Sequence, residues 1–173
     1  MPPALFPPSL HQFSGLPAAL TVLAIALLAA AAANDGGTAL VICPASLLEN
    51  WRREAVRFAP ELKVFVHHGA RGLGAPADFA GLQLVITSYG TLARDQDLFT
   101  TVEFACVIAD EAQHIKNRRS QNAAALRALR ARARFLLTGT PLENSLDDLR
   151  SLFEFLLPGY LTRVPAGLRG DER

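Results

Sequence analysis

Five short apolar runs, spaced so that a helix can fit between most consecutive ones, constrain this chain more than any other feature. They are Thr38–Cys43, Lys63–His67, Leu82–Thr87, Phe104–Ala109 and Arg134–Thr138. Brief runs rich in Val, Ile and Leu, bounded by turn residues, predict buried strands. After the first run, Ser46 opens a helix with Glu49 at the S-x-x-E spacing of a capping box. Leu47, Leu48, Trp51, Ala55 and Phe58 recur on one face of it, and Pro60 stops it. Further helices are predicted near Gly90–Leu98, over Gln121–Ala131 and over Ser145–Leu156, the last stopped by Pro158-Gly159. His68–Gly81 is a Gly-, Ala- and Pro-rich loop with room for one short helical turn. Strands alternating with helices predict βαβ units, a mainly parallel sheet and a three-layer α/β domain.

A chain of 173 residues that is 50% hydrophobic can bury one sizeable core, which excludes disorder and a disulfide scaffold. Cys43 and Cys106 lie inside apolar runs and read as reduced core thiols of a cytosolic protein. A net charge of +1 removes bulk electrostatics as a ground for nucleic-acid binding, so only local patches count. Residues 1–15 are proline-rich and read as an irregular arm, and 162–173 as a polar tail, leaving 16–161 as the folded unit. Leu16–Ala33 is apolar except for Thr21, and as a helix it would run about 27 Å. Three readings of it compete. A buried helix fits its alanine-dominated composition best. A membrane span would want more Leu, Ile and Phe, and a signal peptide would want basic residues that 1–15 lack.

Chemistry in open parallel sheets gathers at the carboxyl ends of strands. The fourth run leads straight into Asp110-Glu111-Ala112-Gln113, and the fifth ends in Thr138-Gly139-Thr140-Pro141. A strand that delivers an Asp and then a Glu suits nucleotide hydrolysis: the Asp holds Mg²⁺ and the Glu orients the attacking water. The hydroxyls of the neighbouring turn can bridge to those carboxylates. Arg127, Arg130 and Arg134 recur at spacings of three and four and read as a solvated helix face, with a phosphate-binding patch as the rival. His67-His68 has no matching ligand cluster and reads as loop. Gly69–Gly74 lacks a following Lys-Ser/Thr and also reads as loop. Trp51 reads as core.

Phe104–Asn117 (FACVIADEAQHIKN) resembles the Walker B segment of the Swi/Snf-type DNA-dependent ATPases of helicase superfamily two. Leu137–Leu146 (LTGTPLENSL) resembles their motif III together with the residues just after it. Ala39–Trp51 resembles motif Ia, Ile86–Asp95 the segment with motif Ib, and Ser151–Leu161 the end of the first lobe. The likeness covers about residues 21–161, in order. It implies a RecA-like lobe of P-loop NTPase type, with ATP and Mg²⁺ as cofactors and duplex DNA and a second RecA-like lobe as partners. Carried over residue by residue, it makes Asp110 and Thr21 the Mg²⁺ side of the site and Glu111 and Gln113 catalytic. Thr138, Gly139 and Thr140 become coupling residues, and Ser46, Thr87 and Ser88 contacts to the DNA backbone.

The chain departs from the family pattern at the phosphate loop. Thr21–Leu28 resembles the helix after that loop, but Ala19 and Leu20 stand where Gly and Lys would. The strand expected before the loop is missing, so the sheet should be incomplete near its middle, at its N-terminal strand. Losing the lysine alone would weaken phosphate binding about tenfold to a hundredfold. The expectation is a first ATPase lobe of a DNA translocase, a fragment with little activity alone, cytosolic and without stable membrane association. The alternatives are a non-catalytic remnant or binding module, and a membrane-anchored protein using Leu16–Ala33.

Overall fold

The computed structural model describes residues 37–70, 72–115, 117, 120–138 and 146–159. Five strands form one wholly parallel sheet: β1 (Ala39–Cys43), β2 (Val64–His67), β3 (Leu84–Ser88), β4 (Glu103–Ala109) and β5 (Arg130–Leu136), in the order β2-β3-β1-β4-β5. The helices are α1 (Leu48–Phe58), α2 (Tyr89–Arg94), α3 (Gln96–Thr100), α4 (Gln121–Ala128) and α5 (Leu146–Leu156).

β1 is buried along its whole length because it is covered on both faces, which is why its sequence is an unbroken aliphatic run rather than an alternating one. On one face Leu40, Ile42, Val85, Val107 and Ala109 pack with Leu92, Phe99, Leu126, Leu152 and Phe155 from α2 to α5. On the other, Val41, Cys43, Leu84, Ile86, Cys106 and Ile108 pack with Leu48, Trp51 and Ala55 of α1. Two helical layers on one parallel sheet make the three-layer α/β architecture predicted from the alternation.

Three expectations need correction. The capping box does not form: a 3₁₀ turn, Ala45–Leu47, precedes α1, Leu47 takes the cap position, and Glu49 pairs with Arg52 at 2.7 Å instead. Ser46 lies inside that 3₁₀ turn, one residue short of the cap position, so it cannot serve as the cap. The gap expected near the middle also does not occur among the described strands, since β1 pairs with β3 and β4, and β4 with β5, without interruption. A further strand could therefore be added only at the β2 or β5 edge. Finally, β5 begins at Arg130, four residues earlier than expected, and α4 stops at Ala128. Arg130 and Arg134 are thus strand residues and share no helix face with Arg127. The alternating R-A-R-A-R pattern is a period-2 signal that the helical reading overlooked. Arg134 is half-buried, donates to the Leu129 carbonyl and lies 5.2 Å over the Phe155 ring, and burial lowers its pKa.

His67 is a structural hinge pin. Its ring is 1% exposed and packs edge-on against Phe99 at 5.0 Å. Nδ1 accepts from the Leu73 amide at 2.9 Å, so the ring proton sits on Nε2, which donates to Asp95 at 2.8 Å. Leu73 is thereby tied to the β2 end, and the β2 end to the α2–α3 junction. No group of three or more potential metal ligands occurs among the described residues. Hydrogen bonds from Arg94 and then His67 hold the Asp95 carboxyl down, to about 2 from an ordinary 3.8.

A carboxylate with a depressed folded pKa contributes stability that is present above its unfolded pKa and lost as pH falls through the folded value. The urea midpoint should therefore decline between pH 4 and pH 2. Asp95→Asn should start lower at pH 6 and decline less steeply over that window. A second outcome concerns Ser151, buried on α5, whose hydroxyl donates to the Ile115 carbonyl at 2.6 Å and ties the helix to the turn after β4. Ser151→Ala should destabilise the domain by about 1–2 kcal/mol in urea titrations, because it leaves that carbonyl unpaired.

Candidate active site

Strand register sets the site. His67, Thr87, Ile42, Ala109 and Leu136 are level with one another across the sheet. One step beyond this row lie His68, Ser88, Cys43, Asp110 and Leu137; two steps beyond lie Glu111 and Thr138. The Asp110 amide donates to the Ile42 carbonyl at 2.8 Å and the Leu137 amide to the Ala109 carbonyl at 2.9 Å, so pairing continues to the rim. Asp110-Glu111 and Thr138 therefore follow directly on the neighbouring ends of β4 and β5.

Strand alternation turns Asp110 to the face that carries Cys106 and Ile108, the face covered by α1. There its Oδ2 accepts from Trp51 Nε1 at 2.8 Å, while Oδ1 accepts from the Glu111 amide at 2.8 Å. The Asp110 carbonyl accepts from the Tyr89 hydroxyl at 2.6 Å. Burial raises the Asp110 pKa; the Trp51 and Glu111 hydrogen bonds oppose it, and the Glu111 charge adds to it. Burial and then the Asp110 charge push the Cys43 thiol up to about 12, which leaves it inert as a nucleophile. Burial likewise raises the Tyr89 phenol.

Glu111 has φ +55, the one positive value at a non-glycine among the described residues. Such a backbone costs roughly 1–3 kcal/mol and persists only where its surroundings enforce it. Here Asp110 enforces it from both sides, its carboxylate on the Glu111 amide and its carbonyl on Tyr89. Glu111 is half-buried and Gln113 exposed in the 3₁₀ turn Ala112–Ile115, and Thr138 is half-buried past β5.

The remaining expected contacts are distributed differently. Ser46 is exposed in the turn after β1. Thr87 and Ser88 are buried: Thr87 donates to the His67 carbonyl at 2.9 Å. Ser88 caps α2, accepting from the Thr91 amide at 3.2 Å and donating to its hydroxyl at 2.8 Å. Ala19, Leu20, Thr21, Gly139 and Thr140 lie outside the described residues. Sequence reasoning missed Trp51 and Tyr89 as parts of the site. Trp51 sits on the apolar stripe of α1 and carries every sign of a core residue; only its indole N–H, a donor that must be satisfied when buried, hinted at more.

Residues 14–166 match the SNF2-related domain family. Helicase SWR1 of Mycosarcoma maydis is 38% identical over 157 residues, which is 85% of this chain and 8% of that protein. Helicase ssl-1 of Caenorhabditis elegans is 40% identical over 148 residues, 80% of this chain and 6% of that protein. The chain thus spans under a tenth of the length of these relatives. Among solved structures, the Sulfolobus solfataricus SWI2/SNF2 ATPase core in complex with dsDNA superposes with a TM-score of 0.71 at 37% identity, covering 80% of this chain and 29% of that one. With a parallel sheet of this order and a carboxylate pair at the fourth strand end, the chain belongs to the SNF2-related family and has the fold of the N-terminal RecA-like lobe of a Swi/Snf-type ATPase.

Proposed function

We propose that this chain contributes the Walker B side of a DNA-translocase motor: an ATPase lobe that works on duplex DNA together with a second RecA-like lobe. The observation that carries this reading is the Asp110-Glu111 pair at the β4 end, with Asp110 held at both carboxylate oxygens and Thr138 at the neighbouring strand end. The donor set suits Mg²⁺. One ordered carboxylate with a second beside it is what Mg²⁺ uses while water, joined by phosphates when nucleotide is bound, completes its shell. Asp110 would hold the ion, and the family resemblance adds the Thr21 hydroxyl to the groups that would hold it. Bound Mg²⁺ supplies charge neutralisation on the transferred phosphate. Glu111 orients the attacking water, assisted by Gln113, and Thr138, Gly139 and Thr140 couple that end of the sheet to DNA.

Duplex DNA runs along the rim past β1 and β3, where exposed Ser46 can meet a phosphate. Thr87 and Ser88, whose hydroxyls are bonded inside the fold, act there by shaping the β3 end. A neighbouring structure solved with dsDNA supports this partner. No helix among the described residues is long and apolar enough to cross a membrane. DNA as the partner points to the cytoplasm, and to the nucleoid if the protein is bacterial.

Ala19 and Leu20 replace the Gly-Lys that would cradle the phosphates, and an arginine finger from the second lobe is worth on the order of 10³–10⁵ in rate. The isolated chain should therefore show no ATP hydrolysis above background, with or without DNA. DNA-stimulated phosphate release that disappears in Glu111→Gln would overturn this. Replacing residues 1–20 with a family-like strand and Gly-rich loop ending in Gly-Lys should restore Mg²⁺-dependent ATP binding, read by calorimetry. The same graft carrying Asp110→Ala should lose it; equal binding by both would show that Asp110 does not serve the metal.

A further inference from the structure

Asp110 and Glu111 suffice for the chemistry proposed at the strand end, yet two buried aromatic residues converge on them from separate elements. Trp51 is 1% exposed and belongs to α1, which begins one short turn after β1. Its only polar side-chain atom donates to Asp110 Oδ2 at 2.8 Å. Tyr89 is 3% exposed and is the first residue of α2, directly after β3. Its hydroxyl donates to the Asp110 carbonyl at 2.6 Å. The segments leaving β1 and β3 flank each other in the sheet, so each sends one aromatic donor to the same residue, one to its carboxylate and one to its main chain.

The consequence is geometric. A carboxylate has about four lone-pair directions. The indole takes one on Oδ2 and the Glu111 amide one on Oδ1, which stops rotation of the group and leaves the others in a defined direction. Tyr89 fixes the peptide plane that leads into the left-handed Glu111. Any shift of α1 against the sheet must drag Oδ2, because a charge-assisted hydrogen bond tolerates little stretching.

We propose that Trp51 is a positioning residue, assisted by Tyr89, that sets the Asp110 carboxylate for a divalent cation and links that cation to the segments leaving β1 and β3. This rests on the reading of Asp110 as the Mg²⁺ residue, and the test separates the two. Trp51 is the sole tryptophan of the chain, so ¹⁵N-indole labelling yields one Nε1–H resonance. MgCl₂ alone is titrated into the full 173-residue chain while that resonance is followed. Mn²⁺ binding is measured in parallel by water proton relaxation, on wild type, Trp51→Phe, Tyr89→Phe and Asp110→Ala. The expected result is a saturable Mg²⁺ shift of the indole resonance that is absent in Asp110→Ala. Mn²⁺ affinity should fall about tenfold in Trp51→Phe and by less in Tyr89→Phe.

A purely structural Trp51 would lower thermal stability in Trp51→Phe without moving the Mn²⁺ midpoint, and that outcome overturns the proposal while the metal reading stands. If Trp51→Phe does not fold, the wild-type indole decides: a resonance that stays still while Mn²⁺ saturates a site lost in Asp110→Ala has the same meaning. Mn²⁺ binding that is absent, or unaltered by Asp110→Ala, defeats the metal reading and the positioning role with it.

Discussion

The hydrogen-bond register of β1 against β3 and β4 is the constraint on which the rest of this domain depends. β1 is the central strand, buried on both faces, and its pairing makes Ile42 level with Thr87 on one side and Ala109 on the other. Every candidate side chain emerges one or two residues beyond that row. Because side chains alternate, a slip of one residue at β4 would turn Asp110 from the α1 face to the opposite one, away from Trp51. Register is protected by the same alternation, since that slip would also expose Val107 and Ala109 to the wrong layer and break both clusters of the core.

The site shows how a half-buried carboxylate is kept usable. Burial alone would raise the Asp110 pKa and favour the neutral acid, which cannot serve a cation. Two N–H donors, one from an indole and one from the next peptide, offset that rise only in part, and burial keeps the group above its ordinary value. These donors differ in what they report. The Glu111 amide is local and moves with Asp110, whereas the Trp51 indole belongs to another layer of the fold. The left-handed backbone at Glu111 is the local cost of turning out of the strand within one residue, and it is borne by contacts from α1 and α2 rather than by a glycine.

Departures from expectation have physical causes at particular residues. Arg130, Arg132 and Arg134 alternate with alanines, which satisfies both a helical spacing of the charges and a strand period; pairing with β4, from Glu103↔Arg130 to Ala109↔Leu136, decided for the strand. Ser46 and Glu49 have capping-box spacing, but the 3₁₀ turn at Ala45–Leu47 shifts the helix start past Ser46. Edge order was equally illegible, because aliphatic composition marks β1, β3 and β4 as buried without saying which lies between the other two.

What the sequence determined by itself was the alternation of strand and helix, the parallel α/β class, the burial of both cysteines and the placement of Asp110-Glu111 and Thr138 at strand ends. These arise from short-range patterns: hydrophobic period, turn residues, and the order of charges after an apolar run. What only the tertiary structure decided was the strand order, the partners of His67, the internal engagement of Thr87 and Ser88, and the meeting of Trp51 and Tyr89 at Asp110. Trp51 and Asp110 are 59 residues apart and Tyr89 and Asp110 are 21. No local pattern can encode such meetings, because they depend on which helix covers which face of the sheet once the ladder has closed.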